Sequence, residues 1–297
     1  LAVPANFVFR ATVLSHGWYH LAPFRWDADG KVLRRTEVLA GSAVDLTIVS
    51  ARDGLAVSAP VALGSHRLAL EKRFGRMFQL GVDTSEFVTL TRSSPAHAWV
   101  EPSGFGRLLC GATVFEDVVK IIATTNTTWR QTVRMVELLS AKCGRRSAEG
   151  NAAFPEPAEV ARFSEEELQR DCRLGYRAKS IHALASGVAD GSIDLDALGR
   201  ADGQPAEALF KRYLLLPGIG PYGAAHLLAM EGRHDYIAVD TEFRRFVRDR
   251  YHRGRKVSDR SLVRRYNRWG RWKYLAYWAE SWEAVAKRLE LQKNRGE

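Results

Sequence analysis

The 297-residue sequence predicts an α+β protein in which an N-terminal antiparallel sheet precedes a two-lobed, all-helical region. Two observations support this prediction. Residues 1–100 contain short alternating apolar stretches separated by glycines, and beyond Pro102 the apolar residues take the spacing of amphipathic helices. We therefore expect a β-rich domain over residues 1–100, one helical lobe over 101–236, and a second lobe completed by 237–297 with a basic surface.

The β-rich segment is clearest at residues 44–49, where the string VDLTIV alternates apolar and polar side chains as a half-buried strand does. Residues 7–13 alternate more weakly and are also assigned to a strand. A helix is expected over residues 67–78. The turns are marked by Gly30, Gly41, Gly54 and Gly64.

Helical spacing continues from Phe115 to the end of the chain. Thr113 is a candidate N-cap for the first helix of this region, and Ser164 with Glu167 has the spacing of a capping box. The first of these helices covers residues 115–122. Further helices are predicted over residues 128–143, 177–189, 207–215, 221–231, 240–252 and 259–291.

Composition excludes several classes of protein. The three cysteines, Cys110, Cys143 and Cys172, are too few and too widely spaced for a disulfide framework or a four-thiolate iron–sulfur site. No stretch approaches 18 consecutive apolar residues, so no membrane span is expected. We expect a monomer of the reducing cytoplasm, associated with the nucleoid, that needs no cofactor and holds no iron–sulfur cluster.

Positive charge is concentrated in one segment. The net charge is +10, and residues 243–273 contain thirteen Lys or Arg against two acids, Asp249 and Asp259. A concentrated basic segment indicates a polyanionic partner, most commonly nucleic acid. The alternative is a solvated, arginine-rich helix face. Arg244 and Arg245 begin this segment and are candidate DNA contacts.

The string LLLPGIGPYGAA at residues 214–225 lies between two predicted helices. Gly218 and Gly220 permit a tight turn and expose amides at a helix N-terminus, where phosphate binds readily. Gly223 permits close helix packing. Residues 207–231 are therefore predicted to form a helix-hairpin-helix unit; the alternative is a structural turn without a ligand.

Asp240 lies eighteen residues after Tyr222, beyond the end of this unit. It comes directly after the apolar run IAV. In isolation, an aspartate at a helix start is most simply an N-cap. Behind the hairpin, and at this spacing, a catalytic carboxylate becomes the favoured interpretation.

This pairing of hairpin and aspartate resembles the helix-hairpin-helix (HhH-GPD) superfamily of DNA glycosylases. Further segments resemble 8-oxoguanine DNA glycosylases within it, and the alkyl-base (3-methyladenine) branch shares the architecture. These segments are TTNTTW at 124–129 with MVE at 135–137, LGYRA at 174–178, FRW at 24–26 and WG at 269–270.

The resemblance implies specific roles. Asn126 and Tyr176 would fill the gap left by a flipped nucleotide, Arg177 would address the orphaned base, and Asp240 would be the catalytic carboxylate. The hairpin glycines, Gly218, Gly220 and Gly223, would belong to the DNA-binding surface. A structural monovalent cation is also expected on the hairpin carbonyls of Leu214, Leu216 and Ile219.

The sequence departs from the family at the position of the lysine that forms a Schiff base in bifunctional members. Tyr222 stands there, and a phenol cannot form an imine. Its ring could stack on a flipped base or simply pack in the fold. Strand cleavage is therefore not expected, unless a displaced lysine such as Lys211 or Lys179 performs it.

The groups that recognise 8-oxoguanine are also replaced. Leu21 stands in place of a sensing glycine, Tyr277 and Ser281 in place of a glutamine and a stacking phenylalanine, and His226 in place of a pocket thiol. Gln131 replaces an arginine that reads the opposite cytosine. We expect a base pocket at Leu21, Tyr222, His226, Tyr277 and Ser281, larger than that of the 8-oxoguanine enzymes.

The sequence thus predicts a monofunctional DNA glycosylase acting on double-stranded DNA with a damaged or bulky modified base. The base would be an alkylated purine or a hypermodified pyrimidine, in repair or in defence against phage DNA. The alternatives are a non-catalytic DNA-binding module and a bifunctional glycosylase/lyase.

Overall fold

Four strands form an antiparallel meander near the start of the chain, in the order β1-β2-β3-β4. The computed structural model describes residues 1–199 and 203–293, with side chains as far as residue 283. The strands are β1 (Phe24–Asp27), β2 (Val32–Leu39), β3 (Ser42–Ala51) and β4 (Gly54–Ser58). The strand expected at residues 44–49 is confirmed as the centre of β3.

The described residues form fifteen α-helices, most of them after the sheet, so the predicted α+β class is confirmed. The helices are α1 (Phe9–Val13), α2 (Arg67–Met77), α3 (Ser85–Thr91), α4 (Val100–Ser103), α5 (Val114–Thr124), α6 (Trp129–Cys143), α7 (Pro157–Val160), α8 (Glu165–Asp171), α9 (Arg177–Ala189), α10 (Leu195–Gly199), α11 (Ala206–Tyr213), α12 (Pro221–Met230), α13 (Thr241–His252), α14 (Asp259–Arg264) and α15 (Lys273–Lys293). Within this described part, no helix is both long enough and apolar enough to cross a membrane.

Two predicted elements are wrong. The segment assigned to a strand at residues 7–13 contains α1 instead, because Phe9, Thr12 and Val13 are buried at the i, i+3, i+4 spacing of a helix face. The single helix expected over residues 259–291 is broken between α14 and α15 by a 3₁₀ segment, Asn267–Trp272. Gly270 makes the break with φ 54° and ψ −124°, a conformation that glycine adopts readily.

The expected helix caps are present. The Thr113 side chain accepts a hydrogen bond from the Glu116 amide, and Ser164 forms a reciprocal capping box with Glu167. Thr128 and Gln131 form a further capping box at the start of α6. These caps satisfy amides that the first helical turn leaves without partners.

The core has two large hydrophobic clusters. The first joins the inner face of the sheet, including Leu33 and Leu46, to α5, α6, α9 and α12. The second joins Phe87 and Phe105 to α13, α14 and α15. Segments before residue 106 and from residue 237 onward therefore pack in one core.

A buried network of ions joins the sheet to α5. The Arg35 guanidinium donates two hydrogen bonds to Glu116, at 3.0 and 2.7 Å, and Lys120 Nζ lies 2.6 Å from the same carboxylate. Arg35 and Lys120 are almost fully buried. The positive neighbours hold the pKa of Glu116 well below its usual range, despite the opposing effect of burial. Removing one partner would leave a buried charge without compensation.

Candidate active site

The predicted helix-hairpin-helix unit is formed by α11 and α12 with the turn between them. Gly218 has φ 77°, and a Cβ there would lie 2.7 Å from the Cβ of Ser180, so this position requires glycine. Gly220 is the N-cap of α12, is exposed, and has no atom within 4 Å of its Cβ position. An anion could therefore approach this helix N-terminus closely. A Cβ at Gly223 would lie 3.0 Å from Ile121, so this glycine permits close packing of α12 on α5.

The expected cation site involves carbonyls of this same turn. The Leu216 carbonyl accepts a hydrogen bond from the Ile219 amide at 3.2 Å. A carbonyl oxygen has two lone pairs, so this bond is compatible with coordination of a cation. A cation on Leu214, Leu216 and Ile219 stays a prediction. The described residues contain no group of three or more His, Cys, Asp or Glu placed to hold a metal.

Asp240 is the N-cap of α13. Its carboxylate accepts a hydrogen bond from the Phe243 amide at 2.7 Å, and the residue is half-buried. Burial disfavours the charged form and raises the pKa of this carboxyl. A carboxylate offers about four lone-pair positions, so capping a helix leaves acceptor capacity for another partner.

The hairpin, Asp240 and α15 meet in a small cluster. Ala238, two residues before Asp240, is buried with Ala225 of α12 and Tyr274 of α15, and Tyr222 packs on the same cluster. The negative charge of Asp240 raises the pKa of Tyr222, Tyr274 and Tyr277, in addition to the larger effect of burial. Asp240 therefore lies beside three neutral phenols.

Aromatic rings continue from Tyr222 along one side of α15. The His226 ring lies 4.7 Å from Tyr222 and 6.5 Å from Trp278, and its Nδ1 shares a 3.0 Å hydrogen bond with the Tyr274 hydroxyl. Burial lowers the pKa of His226 to about 3, so its imidazole is neutral at physiological pH. Tyr277 packs edge-on against Phe243, with 4.9 Å between ring centroids. We call Tyr222, His226, Tyr274, Tyr277 and Trp278 the aromatic cluster.

The structure does not bring every predicted pocket residue into this cluster. Leu21 is completely buried in the first core cluster, beside the sheet. Ser281 is half-buried one turn after Tyr277; its hydroxyl bonds to the Trp278 carbonyl at 3.0 Å and interacts with the Tyr277 side chain. Only Ser281 of these two is therefore placed beside the aromatic cluster.

Asn126 and Tyr176 lie together, as a gap-filling pair would. Asn126 has φ 45°, and its Nδ2 donates to the Tyr176 hydroxyl at 3.3 Å. Tyr176 is 63% exposed. The Tyr222 side chain interacts with that of Thr124, two residues before Asn126, so this pair lies close to the aromatic cluster in the chain.

Arg177 is buried, and its guanidinium binds backbone. It donates to the Thr125 carbonyl at 3.1 Å and to the Asn126 carbonyl at 3.2 Å, and it packs on the Tyr176 ring at 4.6 Å. In this conformation Arg177 braces the left-handed Asn126. To contact an orphaned base, the Arg177 guanidinium would have to replace its hydrogen bonds to the Thr125 and Asn126 carbonyls with bonds to that base.

The two candidate arginines on α13 carry surface ion pairs. Arg244 binds Asp259 through two 2.9 Å hydrogen bonds, and Arg245 pairs with Glu242. Exposed pairs of this kind contribute about 0–1 kcal/mol, so phosphate could replace them at little cost.

Neither alternative lysine has the environment of an amine nucleophile. Lys211 is exposed and pairs with Glu207 at 2.7 Å, and this bond raises the pKa of its ammonium group. A lysine that forms an imine needs a lowered pKa, because only the neutral amine attacks the sugar carbon. Lys179 is exposed on α9.

Sequence reasoning missed Tyr274, Trp278 and Thr124. Trp278 donates from its indole nitrogen to the Ser15 carbonyl at 2.8 Å, and it stacks between Tyr274 and Trp282. The i, i+4 series at 274, 278 and 282 was a usable signal, because such residues share one face of a helix.

Residues 119–271, slightly more than half of the chain, match the model of the HhH-GPD superfamily of base excision DNA repair proteins, and the chain belongs to this superfamily. The match includes the hairpin, Asp240 and the Asn126 segment.

The chain is similar to three characterised or named glycosylases. A probable N-glycosylase/DNA lyase of Methanothermobacter thermautotrophicus is 27% identical over 216 residues, covering 65% of this chain and 68% of the relative. The 3-methyladenine DNA glycosylase of Archaeoglobus fulgidus has a TM-score of 0.75 at 18% identity, covering 96% and 98% of the two chains. An 8-oxoguanine glycosylase/lyase of Clostridium acetobutylicum, bound to double-stranded DNA, has a TM-score of 0.72 at 16% identity, covering 95% and 93%. At such identities the two structures establish the fold.

Proposed function

We propose that this protein is a monofunctional DNA glycosylase that flips a modified base out of double-stranded DNA and hydrolyses its N-glycosidic bond, leaving an abasic site. One observation carries the proposal: the charge of Asp240 acts on three phenols of the aromatic cluster, and one of them, Tyr222, stands at the position where bifunctional relatives have lysine. Membership of a base excision repair superfamily supports the same reaction.

The steps follow from the positions of the side chains. Gly220 at the start of α12 would bind a DNA phosphate, while Asn126 and Tyr176 would enter the duplex as the base leaves it. Extrusion costs a few kcal/mol, and contacts in the pocket offset this cost. The flipped base would stack on the rings of Tyr222 and the aromatic cluster.

Bond cleavage depends on Asp240. As the base departs, positive charge develops on the sugar, and a carboxylate beside the sugar carbon stabilises it. Water then adds to that carbon, its proton passes to Asp240 or to solvent, and the base leaves with the bonding electron pair.

The substrate would be a modified base that is bulkier than 8-oxoguanine or differs from it in shape. The neutral His226 and the phenols offer stacking surfaces and few directed hydrogen bonds, and Ser281 places a small side chain beside Tyr277. Such a pocket selects mainly by shape and leaving-group lability. An alkylated purine or a hypermodified pyrimidine fits this description, and 8-oxoguanine should be released poorly.

The first experiment replaces the carboxylate. Asparagine caps a helix as well as aspartate does, so Asp240→Asn should keep α13 and the fold intact. We expect base release, measured by mass spectrometry on a panel of alkylated, deaminated and hypermodified DNAs, to fall at least 100-fold with DNA binding retained. Asp249→Asn, an exposed change on the same helix, is the matched control. Near-normal release by Asp240→Asn would remove this residue from catalysis.

A bifunctional glycosylase/lyase is the second candidate, because the Methanothermobacter relative is named as a probable lyase. Borohydride reduces an enzyme–DNA imine to a stable covalent adduct, so it detects this mechanism directly. We expect no adduct with the wild-type protein. An adduct that disappears in Lys211→Ala or Lys179→Ala would establish the lyase.

A further inference from the structure

A second aromatic surface lies outside the aromatic cluster. Trp129, at the start of α6, is 42% exposed, and one edge of its indole packs directly on Gly17. A Cβ at Gly17 would lie 2.5 Å from Cζ2 of this indole. The tryptophan is therefore held firmly on one side while much of its surface stays open to solvent.

Two further rings continue this surface. Gly17–His20 is a single 3₁₀ turn, in which side chains at i and i+3 lie above one another, so exposed His20 shares the face on which Trp129 packs. Tyr19 packs against His20 with 4.0 Å between ring centroids and an angle of 36° between the ring planes. Trp129, His20 and Tyr19 thus form what we call the outer wall.

The outer wall adjoins the aromatic cluster on one side. The Ser15 carbonyl accepts the hydrogen bond of Trp278, and Gly17 contacts Trp129. Two residues of extended chain span roughly 7 Å at most, so the two tryptophans flank one short segment.

The two surfaces are also connected on the other side. Thr124, whose side chain interacts with that of Tyr222, precedes Trp129 by five residues at the junction of α5 and α6. The aromatic cluster, residues 15–17 and the start of α6 are therefore each connected to the other two. A base held against Tyr222 would have the outer wall at its rim.

We propose that the outer wall binds a large, uncharged, hydroxylated substituent carried by the flipped base, such as a sugar. This inference rests on the proposed glycosylase function and specifies its substrate class. Flat aromatic faces pack on the C–H faces of a sugar ring, while the indole N–H, the imidazole and the phenol can bond to hydroxyls. The Asp240 carboxylate disfavours an anionic substituent.

The test compares one base with and without the substituent. Duplexes carry 5-hydroxymethylcytosine or its glucosylated form, and base release is measured under single-turnover conditions. We expect the wild-type protein to release the glucosylated base at least tenfold faster. Trp129→Ala should remove most of this difference, and His20→Ala part of it.

Two controls separate this role from loss of structure. Gly17→Ala should displace the indole without removing it and should reduce release of the glucosylated base in the same direction. Leu68→Ala, at an 81% exposed apolar residue on α2, should change nothing. Binding to DNA with an abasic-site analogue, which has no substituent, should stay within twofold in every variant, and thermal denaturation should show that each is folded.

The outcomes also separate this inference from the proposed function. Release of alkylated purines without release of the glucosylated base would overturn the inference and leave the glycosylase intact. Equal loss on both cytosine derivatives in Trp129→Ala, or a parallel loss of abasic-site binding, would assign Trp129 to general DNA contact and overturn it as well. Failure to release any modified base would overturn the proposed function itself.

Discussion

At the scale of single residues, Asp240 shows why a sequence pattern can have two correct interpretations. It is an N-cap, as an isolated aspartate at a helix start would suggest, and it also lies beside the aromatic cluster. The cap fixes the carboxylate in one orientation, which a catalytic group requires. The two interpretations therefore describe one arrangement.

The pH dependence of base release should reflect this carboxylate. Burial raises the pKa of Asp240 above its ordinary value of 3.8, and the reaction needs the ionised form. The single-turnover rate should therefore fall on the acid side, with a midpoint above that of an exposed aspartate. The rate is measured from pH 8 down to the lowest pH at which circular dichroism shows the folded protein. A midpoint no higher than that of an exposed aspartate would contradict this expectation for Asp240.

The sequence could predict which residue types have suitable chemistry. It predicted less well which of these residues the fold brings into contact. Tyr222, His226, Tyr277 and Asp240 were identified from the resemblance, and the structure places them together. Tyr274 and Trp278 were not identified, because helical periodicity assigns a residue to a face and cannot separate core from pocket on that face. The burial of Leu21 depends on the whole fold and had no local signal.

At the scale of elements, the hairpin contains two glycines with different requirements. Gly218 needs a positive φ and has no room for a side chain, whereas Gly220 has φ −102° and open space around it. Gly218→Ala should therefore lower the free energy of unfolding by about 2 kcal/mol or more. Gly220→Ala should cost clearly less, yet weaken DNA binding by placing a methyl group beside the phosphate site.

Urea denaturation and a DNA-binding titration on both variants check this difference. Equal stability losses would show that the turn is not constrained as described. Unchanged DNA affinity in Gly220→Ala would remove this amide from the phosphate site.

Elements with strong local signals were predicted well. Thr113 and Ser164 mark helix starts through side-chain hydrogen bonds that a sequence reveals. The short α1 was missed because five residues give too few repeats to distinguish two periods. The break at Gly270 was missed because the amphipathic pattern continues through it, and glycine alone does not require a kink.

At the scale of the whole molecule, buried neutral histidines should govern stability in mild acid. Burial lowers the pKa of His16 to about 4, and those of His226 and His234 to about 3. The unfolded chain binds these protons near pH 6.5 and the folded chain does not. The contribution of these neutral histidines to the free energy of unfolding is therefore complete above pH 6.5. It is lost progressively as the pH falls toward 3–4.

His234 gives a direct test of this expectation. Its ring stacks with those of Trp272 and Tyr274, and neither ring nitrogen has a hydrogen-bond partner within the described chain. His234→Phe should keep the stacking and reduce the stability loss between pH 7.5 and pH 5 by about 2 kcal/mol. Urea unfolding at the two pH values measures this. An unchanged loss would show that His234 is protonated in the folded protein or does not titrate in the unfolded one.

The central claim is that this active site removes a base and does not cut the strand. The most direct measurement incubates the wild-type protein with an end-labelled duplex containing the base that mass spectrometry shows to be released, and resolves the strands with and without alkaline treatment. The account predicts intact strands before alkali, breaks at the modified position after it, and neither product with Asp240→Asn. Strand breaks before alkali, accompanied by a borohydride-trapped adduct, would contradict it.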